Sequence, residues 1–168
     1  MATIGPGHEE TALSFLHREI RYVANAGYSW HPNPRHIDEV VAELNLEQAE
    51  PVAAPAVKDG GPAVREADDA LDTATVAVYV RCTGKLIYLS QDRFDTMYVV
   101  RLLASALKSP TVRDWLRLEH LAKYLAGTRD WAIEYRFQGV MREVVGYSDS
   151  DWATCQVTRH SVSSGLLL

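Results

Sequence analysis

The chain has few cysteines, no long apolar run and no glycine-rich phosphate loop. Only Cys82 and Cys155 occur, far apart, and nothing in their placement suggests a small secreted scaffold held by disulfides. Cys82, in a segment with helical patterning, reads as a small buried apolar residue. No apolar stretch is long enough to cross a bilayer, which argues against a membrane role. The start, Met-Ala-Thr-Ile-Gly-Pro-Gly, lacks the basic residues and apolar centre of a signal peptide, so the expected compartment is intracellular, cytoplasmic or nuclear. Without a Gly-rich loop there is no obvious nucleotide cradle. Ser, His and Asp are present, but no spacing assembles a triad. The chain also lacks internal repeats and low-complexity tracts.

What is present is a globular composition, with 47% hydrophobic residues over 168 positions, enough for one ordinary domain or two small ones. The net charge of −5 does not demand a nucleic-acid partner, but it is unevenly spread. Residues 47–72 hold seven acids against Lys58 and Arg65, whereas Lys85 to Arg136 holds nine Lys or Arg against six Asp or Glu.

The pattern predicts an α+β chain. Residues 12–23 alternate as one strand, Asn25-Ala-Gly27 is turn material, and Tyr28-Ser-Trp30 resumes a β pattern, giving an N-terminal hairpin. Pro32 and Pro34 end it. Ile37, Val40, Val41 and Leu44 share one face of a helix over 35–46 that Asn33 or Pro34 opens. The Pro-, Gly-, Ala- and acid-rich stretch 47–72 reads as a linker. Three helices follow. In 73–90 the embedded Gly84 suggests close helix packing. In 93–107 Met97, Val100, Leu103 and Leu107 form the expected core face. In 111–126 that face is Trp115, Leu118, Leu121 and Leu125, with Gly127 as C-cap. Residues 131–137 alternate as a strand, Gly139 turns the chain into a strand at 143–149, and 161–168 is a last β segment.

Among candidate functional residues, Asp149 and Asp151 come first. An apolar strand runs into them, and carboxylates two apart on a strand share a face on which a divalent metal can sit. Ser-Asp-Ser-Asp is also ordinary turn composition, and on spacing alone a solvated turn is the commoner outcome. His17, His31 and His36 lie close to one another in sequence, but no Cys or acid completes a zinc set; His120 and His160 are isolated. Arg113 and Arg117, four apart, share a helix face that could track a phosphate backbone, tempered by Asp114 and Glu119. Tyr22, Tyr28 and Trp30 on the hairpin could stack on bases, although aromatics in a small hairpin are more often packing residues.

The order of motifs resembles the reverse transcriptase–ribonuclease H junction of copia-type LTR retrotransposon Pol polyproteins, from about Ala12 to the end. Phe15-Leu16-His17-Arg18-Glu19-Ile20 resembles that family's Phe-Leu-Gly-x-x-Ile strand, and His36-Ile37-Asp38-Glu39-Val40 the helix after it. Pro51-Val52-Ala53-Ala54-Pro55 is similar to its Pro-Val-x-Thr-Pro. Gly84 to Leu89 and Asp92-Arg93-Phe94-Asp95 resemble Gly-x-Leu-x-Tyr-Leu and x-Arg-Pro-Asp. Leu121 to Thr128 is similar to Leu-x-Tyr-Leu-x-Gly-Thr, and Gly146 to Ala153 resembles the ribonuclease H entry.

The resemblance implies a division into the end of the polymerase palm and thumb (1–46), the linker (47–72), a helical connection (73–127) and an incomplete antiparallel sheet of a ribonuclease H-like fold (128–168). It implies a primer–template duplex or RNA–DNA hybrid as the parent's partner, together with the remaining Pol segments. It also implies Mg²⁺ as the parent's cofactor and Asp149 as its first metal-binding carboxylate; Asp151 is not carried over as catalytic. His17 replaces a Gly, Phe94 a Pro, Thr154 a Gly and Val162 a Thr, which fits a degenerate or truncated copy. The polymerase aspartates would precede this chain and the remaining ribonuclease H acids would follow it. No activity is therefore expected from it alone, and no Mg²⁺ held stably. The rival expectations are a non-catalytic nucleic-acid-binding module and an inert pseudogene product whose open sheet leaves an unpaired edge.

Overall fold

A computed structural model describes residues 3–57, 69–140, 143–150, 161 and 163–167. The chain divides into two compact units, Met1–Arg136 and Phe137–Leu168. The first contains β1 (Ala12–Phe15), β2 (Arg18–Val23), β3 (Gly27–His31), α1 (Arg35–Glu43), α2 (Thr73–Leu89), a 3-10 turn (Phe94–Thr96), α3 (Met97–Ser105), α4 (Val112–Gly127) and β4 (Ile133–Arg136). The second contains β5 (Gly146–Ser150) and β6 (Ser163–Leu167). The result is a mixed α and β chain with four α-helices and two small antiparallel sheets, ordered β1-β2-β3-β4 and β5-β6.

The helices form where capping and apolar spacing agree. Asn33 accepts the Arg35 backbone N–H at 3.0 Å ahead of α1. Asp72 accepts the N–H groups of Ala74 and Thr75 at 2.9 and 3.1 Å at the start of α2. Thr111 and Asp114 make a capping box at α4. Sixteen buried apolar residues form the hydrophobic core, and every one comes from the four helices or the residue closing α1. Ile37 and Val40 of α1, Leu86 of α2, Leu103 of α3 and Leu121 of α4 are nearly inaccessible. Tyr79 lies at its centre and donates its hydroxyl to the Leu103 carbonyl at 2.8 Å. Among the described residues, no strand side chain belongs to this core.

Several expectations change. Residues 12–23 are not one strand: Leu16 and His17 both take positive φ (49° and 62°), and β1 folds back on β2 with Phe15 opposite Arg18. Alternation does not register such a turn when neither residue is Gly, although His tolerates the left-handed region better than most. The strand expected over 131–137 does not open the C-terminal sheet. Its ordered part, β4, pairs with β3, with Tyr28 opposite Tyr135 and Trp30 opposite Ile133. The first compact unit closes at Arg136. The described ends of 47–72 lie on the helices: Val52 and Leu71 pack against the core, and Ala70 bridges to Thr111.

Gly84 does not mediate close packing, because a Cβ there would meet nothing within 4 Å. Gly127 is the tight position. Its Cβ would lie 2.6 Å from Cβ of Pro51, so its absence lets 47–57 cross α4. On α3 the core face is Val99, Val100 and Leu103, and Met97, the first residue of the helix, is half exposed. The strand expected at 143–149 begins at Gly146, and its partner β6 lies within the expected last β segment. Among the described residues no helix is long and apolar enough to cross a membrane.

Gly27 supports the sheet most directly. Its φ is +148°, and a Cβ would fall 2.0 Å from the Tyr135 carbonyl oxygen. The obstacle is backbone, which cannot rotate away. Gly27→Ala should destabilise the β3–β4 pairing by about 2 kcal/mol or more, whereas Gly84→Ala should be neutral or stabilising by up to about 1 kcal/mol. Urea unfolding midpoints of the two variants check both.

Candidate functional site

The residues expected to carry function lie on different elements. Asp149 stands on β5 opposite Ser164, and all of β5 is solvent-exposed. Asp151 lies outside the described residues, as do Thr154 and Cys155. Among the described residues no group of three His, Cys, Asp or Glu gathers as a metal site. One exposed carboxylate does not fit Mg²⁺, which takes six oxygens and commonly two protein carboxylates in nuclease sites.

Tyr28 and Trp30 share one face of the four-stranded sheet with Leu13, Ile20, Tyr22, Ile133 and Tyr135, as the strand register dictates. Tyr22 and Tyr28 meet with ring centroids 5.7 Å apart. The Trp30 indole N–H is committed to Asp92 at 3.0 Å. This supports the packing reading of Trp30 and leaves Tyr135, 54% exposed, as the open aromatic of the row. Arg113 and Arg117 are half-buried on α4. Arg117 pairs with Asp114 at 3.2 Å and borders a cleft of about 200 Å³ with Pro55, Val57 and Tyr98. The expected basic stripe is thus partly covered and partly neutralised.

Two buried arginines, Arg18 on β2 and Arg93 between α2 and α3, form better-defined polar centres. Arg18 on β2 donates Nε to both Asp92 oxygens (2.9 and 2.7 Å) and Nη1 to the Tyr88 hydroxyl at 2.9 Å. Its guanidinium lies 4.9 Å from the Tyr88 ring centroid and 5.8 Å from that of Trp30. Burial opposes the charge, but Asp92 outweighs it and holds the Arg18 pKa above its ordinary value. Arg93, 3% exposed, pairs with Asp95 at 2.7 Å and donates to the Thr128 carbonyl and hydroxyl at 3.0 and 2.7 Å. Tyr124 donates its hydroxyl to Asp95 at 2.7 Å, and Trp131 lies 5.6 Å from the Arg93 guanidinium. Burial raises the Asp95 pKa, but Arg93 and Tyr124 prevail and leave it lowered. Sequence reasoning met Asp92-Arg93-Phe94-Asp95 only as a family motif. The signal it did not use was an acid–base–acid run in a break between two apolar helices, where charges must find partners.

A polar cleft of about 300 Å³ lies beside the sheet, lined by residues including His17, Arg21, His31, Arg129 and Trp131. Its arginines are already engaged: Arg21 with Glu19 at 2.6 Å, and Arg129 with Asp38 through two 2.7 Å bonds. Burial, then repulsion from Arg21, lowers the His31 pKa against the pull of Glu19 and Asp130, so at neutral pH the ring is uncharged. Ser29 bonds to His31 at 2.9 Å but is buried between β2 and β4, which closes its hydroxyl to a substrate. On α2, burial and the neighbouring Glu43 carboxylate push the Cys82 thiol up to about 12, making it unreactive.

The chain is similar to the retrovirus-related Pol polyprotein from transposon RE2 of Arabidopsis thaliana, with 28% identity over 143 residues, covering 82% of this chain and 10% of that protein. It is 29% identical to the corresponding polyprotein from transposon RE1 of the same plant, over 71% of this chain and 8% of that one. It is 32% identical to the secreted RxLR effector protein 161 of Plasmopara viticola, over 52% of this chain and 62% of that one. The chain thus spans about a tenth or less of the Pol polyproteins it matches. No family profile matches it, and no solved structure matches it significantly. These similarities relate it to retrotransposon Pol proteins.

The lowered Asp95 pKa has a defined sign. Stability from the Arg93–Asp95–Tyr124 centre is present above the ordinary Asp range, near 3.8, and is lost as pH falls through the lower folded value. Urea midpoints measured between pH 5 and pH 2 should fall more steeply for the native chain than for Asp95→Asn, which should already be less stable at pH 5.

Proposed function

We propose that the chain is a copia-type Pol segment that follows the polymerase palm and leads into the ribonuclease H region, and that it supports nucleic-acid handling without performing chemistry itself. Residues 12–46 correspond to the end of the palm and the thumb, 73–127 to the helical connection, and the segment from about 131 to the ribonuclease H entry. The observation that carries this reading is the similarity to the RE2 polyprotein over 143 residues, 82% of the chain. The internal bonding of the motifs supports it. Asp92, Arg93, Asp95 and Thr128, which resemble family positions in two separate motifs, are tied to each other or to Arg18 by hydrogen bonds. Residues kept together in this way hold helices in place; they are closed to a substrate.

Asp149 is the position assigned as the first ribonuclease H carboxylate, and Mg²⁺ belongs to that parent activity. With one such acid on β5, no hydrolytic step is assigned to this chain. Tyr28, Trp30, Arg113 and Arg117 are the proposed contacts with an RNA–DNA hybrid or primer–template duplex. The committed Trp30 N–H and the Arg117–Asp114 pair limit that contact to weak, backbone-directed binding.

A gel-shift titration of the purified full chain with RNA–DNA hybrid tests the reading. Binding should fall in the non-specific range, with a Kd on the order of 10⁻⁶–10⁻⁴ M, and weaken steeply between 50 and 200 mM salt. Arg113→Ala with Arg117→Ala should weaken it further, and Asp149→Asn should leave it unchanged. The same protein incubated with Mg²⁺ should leave the RNA strand intact. Hydrolysis that disappears in Asp149→Asn would contradict the proposal.

A further inference from the structure

The four-stranded sheet has an apolar face on which Arg18 is buried but no apolar residue is fully so. Leu13, Ile20, Trp30 and Ile133 run across it in register, and each is only half-buried. Phe15 and Tyr135 on the same face are 53% and 54% exposed. The hydrophobic core, by contrast, closes among the helices with no strand residue in it. Most sheets are held to their partners chiefly by burial of apolar area, which stabilises by about 25 cal/mol per Å². Here that area is only partly covered, and polar bonds add to it. Bonds from two strand side chains to the helical layer meet at Asp92 and at Tyr88 at the end of α2. Arg18 on β2 and Trp30 on β3 both donate to Asp92, and Arg18 also donates to Tyr88. Asp92 is itself fixed to the helical body by its backbone N–H, which donates to Leu89 at 2.9 Å.

We infer that Asp92 is a latch: it couples two separately cooperative parts of the first unit, the four-stranded sheet and the four-helix body, and its release lets the sheet open while the helices stay folded. The chemistry of the latch is that of a buried ion pair with both side chains about nine-tenths covered. Removing the carboxylate charge leaves the Arg18 guanidinium buried without its counter-charge, a strongly unfavourable state that is relieved when the sheet lifts and the guanidinium reaches water. The helical body does not need that relief, because none of its core contacts involves Arg18 or Trp30. Opening energies that differ between neighbouring parts of one domain are the expected result of such an arrangement. The inference is independent of the proposed Pol origin.

Hydrogen exchange of the full chain, read residue by residue, tests it. In Asp92→Asn the β2 and β3 ladder amides, among them Ile20, Tyr22 and Trp30, should exchange about 100-fold faster or more than in the native chain. The slowest amides of α2 and α4, such as Leu86 and Leu121, should change by less than about 3-fold. Equal acceleration of both sets would show one cooperative unit and overturn the latch, as would no acceleration of the sheet. Should Asp92→Asn fail to fold, the native chain in low urea decides. Sheet amides opening at a lower free energy and with a smaller urea dependence than α2 and α4 amides support the inference. Convergence of all amides on one opening overturns it.

Discussion

The closure of the hydrophobic core among the helices is the constraint on which the rest of the first unit depends. Leu86 and Leu89 of α2, Leu118, Leu121 and Leu125 of α4, and Leu103 of α3 are buried almost completely, with α1 closing the layer through Ile37 and Val40. Among the described residues, the sheet adds no side chain to this core. The sheet is therefore placed by directed bonds. Two buried arginines, Arg18 and Arg93, do the placing, and each is neutralised by an aspartate from the short break between α2 and α3. That break costs helix continuity and supplies both counter-charges within four residues, 92–95. Buried charges are tolerable only when so paired, so these four residues are tied to the position of β2 on one side and of Thr128 and Trp131 on the other.

This arrangement bears on function. The polar side chains with the most elaborate partners are inward-facing and committed, as expected of a segment that holds other elements in place. Asp149, the residue with the most chemical look, is exposed, and among the described residues no group of three His, Cys, Asp or Glu gathers. Relatives among the retrotransposon Pol polyproteins are ten or more times longer than the matched segment, so their chemistry belongs to a larger assembly of parts.

The helices were legible in the sequence because capping residues and apolar spacing agree there. Asn33 and Pro34 before α1, Asp72 before α2 and Thr111 before α4 all stand where side-chain acceptors or a fixed φ start a helix. The sheet was legible in part. The β2–β3 hairpin followed from Asn25-Ala-Gly27, but the turn at Leu16-His17 is built from residues that carry no turn signature, and alternation ran through it unbroken. Pairing of β4 with β3 spans more than a hundred residues, and local pattern holds no information at that range. The site was read least well. Asp149 was placed on a strand, as the structure has it, and Asp114 beside Arg117 was visible in the sequence, but Trp30 has a partner, Asp92, that only the folded chain brings within bonding distance. Gly127, not Gly84, is the close-approach position for the same reason: close approach depends on what lies opposite, here Pro51.

The most direct test of the account is a double-mutant cycle joining Arg18→Met and Asp92→Leu, read by the free energy of separating β2 and β3 from the helices. A cross-link built on one charged pair predicts that each single change costs about 3 kcal/mol or more and the double change less than either, so that the coupling is at least as large as one single effect, about 3 kcal/mol. Additive effects, within about 0.5 kcal/mol, would show that the sheet is held by something other than this pair and would contradict the account.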